Sequence, residues 1–471
     1  MTGKAERTPD TQVLIVSLGV WTRIAKFCKY LPKFGWTAHV LVAERPGEQF
    51  EFEHAEGSRP ANLYRSGWFD WLSPCRSAYS CVRQLESRVG RTLSHIPPLR
   101  KLGNSNSKRI TEILRQPFVS DFRISGTRLP DAFMGWIPYG VRLGENIIRQ
   151  NPGIQIIYAS AAPISSLFIG SLLSKRTSIP WVAELTDAWS LNHLTPRPSW
   201  VQKLEERVEK GTLRSASAIV TVSRPLADQM AWLHGRDIEV IPNGYDEDDY
   251  SQLVQPLEEF TITYTGTINP SRLPSAKVFL QALAHLRAEG ALPSVVNVRF
   301  FGRSLETIAT LACRYGVQDI VRVYGPVPFH ECVRLQMEST VLLLLESFSS
   351  EAKVMQTLKL SEYLGARRPI LAFAPSGGTI ESVLKETNAG VMVTESSEAV
   401  EVLRHCLAAF QAGGSCMGLQ ANAEEIEKYS RMRQTEQLAK LLQQVSIRNG
   451  GGRSTRLVTS LSRNSEGSYE D

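Results

Sequence analysis

Short solid runs of apolar residues alternate along this chain with longer stretches in which apolar positions recur every three or four residues. Val13 to Ser17, His39 to Val42, Ile156 to Ala159, Trp181 to Glu184, Ala218 to Val222 and Glu239 to Ile241 read as strands. Helical spacing falls between them over Thr22 to Leu31 and at about 163–175, 200–215 and 225–233. A second series starts at Phe260 to Tyr264 and continues with Val296 to Phe301, Ile320 to Tyr324, Val341 to Leu345, Ile370 to Phe373 and Gly390 to Val393. Strands that alternate with helices form a parallel sheet covered on both faces. The pattern therefore predicts an α/β protein of two doubly wound, Rossmann-like domains. A length of 471 residues agrees, since it exceeds what one core holds.

Composition shifts set the expected boundaries. Residues 1–11 are a polar tail, 12–245 the first domain and 260–418 the second. The segment 246–259, acidic and poor in apolar residues, reads as the linker. A helix at 419–446 carries Ile426, Met432, Leu438 and Leu442, and the Gly-, Ser- and Arg-rich residues 447–471 are expected to be disordered. Within the first domain, about 50–130 reads as an insertion.

Charge matters here by location. The net charge is +6, but Arg83 to Arg128 alone holds ten Lys/Arg against Glu86, Glu112 and Asp121, a local balance of +7. Trp68, Phe69, Trp71 and Leu72 lie just upstream, and Val82, Leu85, Val89 and Leu93 follow at helical spacing. A basic amphipathic stretch beside aromatics suits docking on an anionic membrane; an apolar stripe packed on its own domain is the alternative. Nucleic-acid binding is not expected, because no basic and aromatic interleaving recurs. The longest clear apolar run is Val341 to Leu345, far short of a membrane span. A polar start without a signal-peptide core and seven scattered cysteines point to a cytoplasmic, reducing location.

The richest chemistry sits in Lys359-Leu-Ser-Glu-Tyr-Leu-Gly-Ala-Arg-Arg-Pro-Ile-Leu-Ala-Phe373, a short helix, a turn and a strand. Thr357 is placed to cap that helix. Lys359 and Glu362, at i and i+3, share a face near its N-terminus, where backbone N–H groups and the helix dipole favour a phosphate. A cation beside such a site, with an acid one turn on for sugar hydroxyls, suits a nucleotide diphosphate-sugar. The plain alternative is a surface ion pair worth a few tenths of a kcal/mol.

This segment resembles the K-x-x-E-Y-L-A-x-G-R-P-I-L signature of GT-B glycosyltransferases of the family-4 type. Four further stretches are similar to that family in the same order. They are Phe27-Cys-Lys-Tyr-Leu-Pro-Lys-Phe-Gly-Trp36, Pro180-Trp-Val-Ala-Glu-Leu-Thr-Asp-Ala-Trp189, Val240-Ile-Pro-Asn-Gly-Tyr-Asp246 and Tyr264-Thr-Gly266. The resemblance runs from about 12 to 430 and is weak between about 50 and 130. It implies two domains facing across a cleft, with ligands at the carboxyl ends of the strands, and a C-terminal helix that crosses back to the first domain.

The resemblance also implies roles. Glu362 holds the donor ribose, Lys359 and Arg272 grip the diphosphate, Gly266 and Gly302 line the donor site, and Val327 lies where the base binds through backbone groups. Asp187 is the catalytic carboxylate, orienting an acceptor hydroxyl or holding the donor sugar. From their places in the sequence, Gly19 after the first strand and His193 close to a predicted strand end are the acceptor-side candidates, with a plain turn and a loop histidine without a role as the alternatives. The expected reaction moves a sugar from a nucleotide diphosphate-sugar to a sugar or lipid-linked hydroxyl, with retention, in polysaccharide or glycolipid synthesis. No metal and no cofactor are expected. The chain departs from the family at four places: the loop at Gly19 is short, Thr186 precedes Asp187 where arginine is common, Thr267 follows Gly266, and Val354 stands where many members carry a second glutamate. These departures leave open an inactive GT-B-like scaffold or, less favoured, a nucleotide-sugar epimerase.

Overall fold

A computed structural model describes residues 11–20, 22–44, 62–69, 131–192, 198–292, 296–414 and 416–462, with side-chain surroundings through residue 448. Most of the basic insertion, His193 and both chain ends lie outside the described residues. The first domain is a seven-stranded sheet in the order β3-β2-β1-β4-β5-β6-β7. Its strands are β1 (Thr11–Val16), β2 (Trp36–Ala43), β3 (Asn62–Ser66), β4 (Ile154–Ala161), β5 (Trp181–Leu185), β6 (Ala218–Thr221) and β7 (Glu239–Val240). All of its pairings are parallel, with Ile15 of β1 beside Val40 on one side and Tyr158 on the other. One face is covered by α1 (Thr22–Tyr30). The other carries α2 (Ile137–Gln150), α3 (Ser165–Thr177), α4 (Ser199–Leu213) and α5 (Arg224–His234), whose apolar residues share one core with that face of the sheet.

The second domain is a six-stranded parallel sheet in the order β10-β9-β8-β11-β12-β13. It comprises β8 (Phe260–Thr265), β9 (Val296–Phe301), β10 (Val321–Tyr324), β11 (Val341–Leu345), β12 (Ile370–Phe373) and β13 (Gly390–Val393). Its helices are α6 (Leu273–Ala288), α7 (Glu306–Arg314), α8 (Phe329–Met337), α9 (Leu358–Ala366), α10 (Thr379–Thr387), α11 (Ser396–Gln411) and α12 (Ala423–Glu427). The sheet is buried on both faces, which is why β11 can be Val-Leu-Leu-Leu-Leu without alternation.

Two elements carry no clear signal in the sequence. β3 is a half-buried edge strand, Asn-Leu-Tyr-Arg-Ser, and so lacks an apolar run. In α2, Gly140 and Gly144 occupy helix-facing positions, and a Cβ on either would come within 2.6 Å of Ile169 or Leu173. The close approach of α2 and α3 needs glycine at both, and glycine hides the helical periodicity.

The segment from Asp246 is anchored rather than loose. Asp246 is buried, accepts from Tyr30 Oη at 2.5 Å and pairs with Lys26 at 2.5 Å and Lys29 at 2.7 Å. The expected helix at 419–446 is two helices: α12, and then α13 (Arg431–Ser462), which runs past the expected end at 446. Asn449-Gly-Gly-Gly reads as a stop because each glycine costs about 1 kcal/mol in a helix, but a formed helix propagates through such a stretch at that modest cost. Leu438, Leu442 and Val445 of α13 pack with Phe27, Val13 and Val182, so the last helix completes the core of the first domain. Each fully buried leucine there is worth about 1.5–3 kcal/mol.

Candidate active site

The carboxyl ends of both sheets face one another across a cavity of about 470 Å³. Thr22, Arg23 and Ile24 line it from the start of α1, and Ser160, Ala161 and Ala162 from the end of β4. Thr186, Asp187, Ala188, Leu191 and Asn192 contribute from the loop after β5. Glu351, Val354, Met355, Gln356 and Leu358 close it from the second domain. The seam is hydrogen-bonded. Ser223 Oγ donates to the Val354 carbonyl at 2.6 Å, and the Asn243 N–H donates to Gln356 Oε1 at 2.7 Å.

Asp187 lies where the sequence places it, open to this cavity. Its apolar walls desolvate it enough to raise the carboxyl above its ordinary range. No hydrogen bond or ion pair holds it among the described residues, so an incoming hydroxyl would find both oxygens available. Gly19 is buried, its carbonyl accepting from Ser17 Oγ at 2.9 Å, and it does not line the cavity. The short loop turns the chain so that Thr22, Arg23 and Ile24 reach the cavity instead. His193 lies outside the described residues.

The residues expected on the donor side converge on the start of α9. Thr357 is the N-cap residue, but its side chain makes no capping hydrogen bond; its carbonyl accepts the Leu360 N–H at 3.2 Å, and the Leu358 and Lys359 N–H groups are left open to a ligand. Lys359 extends over the Tyr264 ring, 5.4 Å from its centroid, and along Gly266. A Cβ on Gly266, whose φ is +133°, would lie 2.6 Å from Lys359 Cε. Gly302, with φ +144°, is equally constrained: a Cβ there would meet the Gly266 carbonyl oxygen at 2.0 Å. These two glycines let the ends of β8 and β9 close on each other and leave room for the lysine. Burial pushes Lys359 down to about 8, nearby Arg272 adds to the fall, and Glu346 and Glu362 oppose it.

Arg272 reaches the same place. Its Nη2 lies 2.5 Å from Glu346 Oε1 and its Nη1 donates to the Thr267 carbonyl at 3.1 Å, whereas its buried Nε has no partner. Arg272 pairs with the buried Glu346 carboxylate, Lys359 lies nearby with no ion pair among the described residues, and the Nε donor is left over. Such a site is short of an anion. Val327 follows β10 in a loop whose Gly325 carbonyl accepts the Gly302 N–H at 3.3 Å, so that loop adjoins Gly302.

Glu362 does not pair with Lys359, so the surface ion-pair alternative fails: no ion pair involves either residue among the described residues. It lines an adjoining cavity of about 260 Å³ with Leu358, Phe329, Tyr250, Lys26 and Arg431. Desolvation raises its carboxyl against the opposing pull of Lys359. Arg431, at the first position of α13, is fully buried there, and burial together with Arg23 pushes it down to about 9. Sequence reasoning missed Arg431 because only the return of α13 brings it to the cleft. It also missed the buried pair between Arg23 Nε and Glu184 Oε1 at 2.7 Å, although Glu184 sits three residues before the expected Asp187.

Residues 114–249 match the Glycosyltransferase Family 4 model. No curated protein matches the chain in sequence. Among solved structures, a glycosyltransferase from Rickettsia africae shares the fold with a TM-score of 0.58 at 12% identity, over 93% of this chain and 99% of that one. Sucrose-phosphate synthase from Thermosynechococcus elongatus matches with 0.56 at 14% identity, over 92% and 99%. A putative UDP-N-acetylglucosamine 2-epimerase from Listeria monocytogenes matches with 0.50 at 9% identity, over 91% and 95%. At such identities the likeness establishes architecture and leaves the reaction to the site. The protein has the GT-B glycosyltransferase fold, two Rossmann-like domains across a cleft, and carries a family 4 glycosyltransferase match from residue 114 to 249.

Proposed function

We propose that this protein transfers a sugar from a nucleotide diphosphate-sugar to a hydroxyl acceptor. One observation carries the reading: the anion-deficient site made by Lys359, Arg272 and the uncapped start of α9, at the carboxyl ends of the second sheet and one residue from Leu358 of the main cavity. A diphosphate there would supply the missing negative charge, with the nucleoside towards Glu362 and the sugar towards Asp187. As the sugar–phosphate bond breaks, charge grows on the leaving diphosphate, and preorganised cations and helix N–H groups stabilise it most at that moment. That supply of positive charge supports a reaction without a divalent metal. Asp187 orients the acceptor hydroxyl across the cavity. Retention at the anomeric carbon and a place in polysaccharide or glycolipid synthesis, on the cytoplasmic face of a membrane, follow from the family resemblance.

The test is a thermal-shift panel of nucleoside diphosphates and their sugars, because a ligand bound only by the folded state raises the melting temperature by mass action. Nucleoside diphosphates should stabilise and free nucleosides should do so less. If no member of the panel shifts the transition, the donor-site reading is wrong. Val354 lines the cavity where an acid is common in the family, and this favours a second reading, a catalytically inactive scaffold. A scaffold would bind the donor and release no sugar from it in the absence of acceptor.

A further inference from the structure

The face that α4 turns to solvent is built unlike the rest of the first domain. Its buried side holds Val201, Glu205, Glu209, Thr212 and Leu213. Two of its three acids are therefore turned inward, and Glu209 accepts there from the Ser190 N–H at 2.9 Å and lies 3.1 Å from His234 Nε2. The outward side carries Trp200, Lys203, Leu204, Arg207, Lys210 and Arg214, all exposed. At 100° per residue these six positions fall within an arc of about 120°. Trp200 is 67% and Leu204 40% exposed, both at the N-terminal end of the stripe. None of the four cations is in an ion pair among the described residues, and Glu206, half-buried, is the one acid of the helix that is not turned inward. On the next helix Trp232 is 81% exposed, and His234 ties α5 to α4 through Glu209.

We propose that the outer face of α4 docks this protein on an anionic lipid bilayer. Inward-turned acids leave a stripe of one sign, complementary to lipid phosphates. An indole and a leucine at one end match the depth at which interfacial side chains enter the headgroup boundary. A nucleic acid would use the four cations but offers nothing to Leu204. Ser199 follows Asn192, a cavity residue, by seven positions, so at about 3.5 Å per residue Trp200 stands within roughly 30 Å of the cavity. Docking through this end would hold the cavity near the membrane, where a lipid-linked acceptor would present its hydroxyl. That last consequence rests on the glycosyltransferase reading; the docking itself does not.

The experiment is sedimentation of the full chain, without nucleotide, with vesicles of phosphatidylcholine alone and of equal parts phosphatidylcholine and phosphatidylglycerol. The parent should partition onto the anionic vesicles at low salt, lose at least tenfold of that binding at high salt, and ignore the neutral ones. Trp200→Ser combined with Leu204→Ser, and separately Lys203→Gln, Arg207→Gln, Lys210→Gln and Arg214→Gln combined, should each reduce partitioning at least tenfold. Both variants should keep the parent's melting temperature and its affinity for a nucleoside diphosphate in solution. No partitioning of the parent, equal partitioning of the folded variants, or preference for duplex DNA over vesicles at equal phosphate would each overturn the proposal. Loss of diphosphate binding with vesicle binding intact would instead sink the donor-site reading alone.

Discussion

Replacing Lys359 with methionine should make the empty protein more stable and a worse binder. Methionine keeps most of the stem that lies along Gly266 and over Tyr264 and removes the charge. Burial lowers the lysine from 10.5 to about 8. At about 1.4 kcal/mol per unit, holding it charged in the empty site at neutral pH costs up to roughly 3 kcal/mol, trimmed by water in the open cleft. A lysine whose folded value lies below its unfolded value costs stability at low pH. Between pH 8 and 10.5 the unfolded chain binds more protons than the folded one, so the parent gains stability as pH rises through that window. Lys359→Met should therefore exceed the parent by about 1–3 kcal/mol at pH 7, and the gap should close by about pH 10.5. Binding should move oppositely. Loss of a charge-assisted contact to the diphosphate costs roughly 1.5–3 kcal/mol, or about ten- to a hundredfold in affinity, with the free nucleoside unaffected. Denaturant titrations at several pH values and calorimetry with both ligands read the two effects separately. A variant that is less stable at pH 7 and binds the diphosphate like the parent would mean that Lys359 is a structural residue and the site holds no phosphate.

Glu362→Ala should weaken diphosphate and free nucleoside alike, by about ten- to a hundredfold, in the same calorimetric titration; unchanged binding of both would remove Glu362 from the donor site. Asp187→Asn should cut transfer at least about a hundredfold with diphosphate affinity intact. Because burial raises the Asp187 carboxyl, the parent's rate should climb with pH through a value above the usual aspartate range, and a flat acid limb would argue against its role. Transfer should persist in excess chelator, and recovery only on adding magnesium or manganese would show a metal requirement. Glu184→Ala strands the Arg23 guanidinium and should cost about 3–5 kcal/mol in denaturant unfolding, against a few tenths if the pair were dispensable.

What the sequence disclosed and withheld follows from where information is local. Val296–Phe301, Val341–Leu345 and Ile370–Phe373 are bounded as the apolar runs bound them, because a strand buried on both faces cannot hide its composition; Gly390–Val393, a half-buried edge strand, keeps its expected bounds as well. β3 and α2 escaped because one is an edge strand and the other uses glycine where periodicity needs bulk. Lys359 and Glu362 were legible as chemistry, but their division was not: the lysine lies along Gly266 and over Tyr264, and Glu362 lines the smaller cavity. That division depends on Gly266 giving the lysine room and on the second cavity being closed by Lys26 and Arg431, both brought in from outside the second domain's sheet. The anchoring of Asp246 by Lys26 and Lys29 is likewise invisible to a composition shift, which registers acidity but not its partners. Burial alone would raise the Asp246 carboxyl, yet those two lysines and Tyr30 hold it at about 2.

The two buried charge clusters facing the cleft show how a structural charge differs from one awaiting a ligand. Arg23 donates Nε to Glu184 at 2.7 Å, Nη1 to the Pro242 carbonyl and Nη2 to the Ile241 carbonyl, each at 2.8 Å. Glu184 takes a second hydrogen bond from Ser160 Oγ at 2.6 Å. That cluster satisfies itself, ties α1 to the end of β7, and has nothing to gain from a ligand. Arg272 keeps a buried Nε without a partner, and Lys359 stands beside it with its proton affinity depressed by burial and by that neighbour. An unsatisfied buried donor costs about 1–3 kcal/mol, and a depressed lysine costs more while it stays charged. A fold retains such costs where something binds to relieve them. The asymmetry assigns opposite duties to the two sides of the cleft. On the proposed function, the first domain presents a self-satisfied wall in which Asp187 is the one unpaired carboxylate among the described residues that line the cavity, and the second holds positive charge in reserve for the diphosphate of the donor.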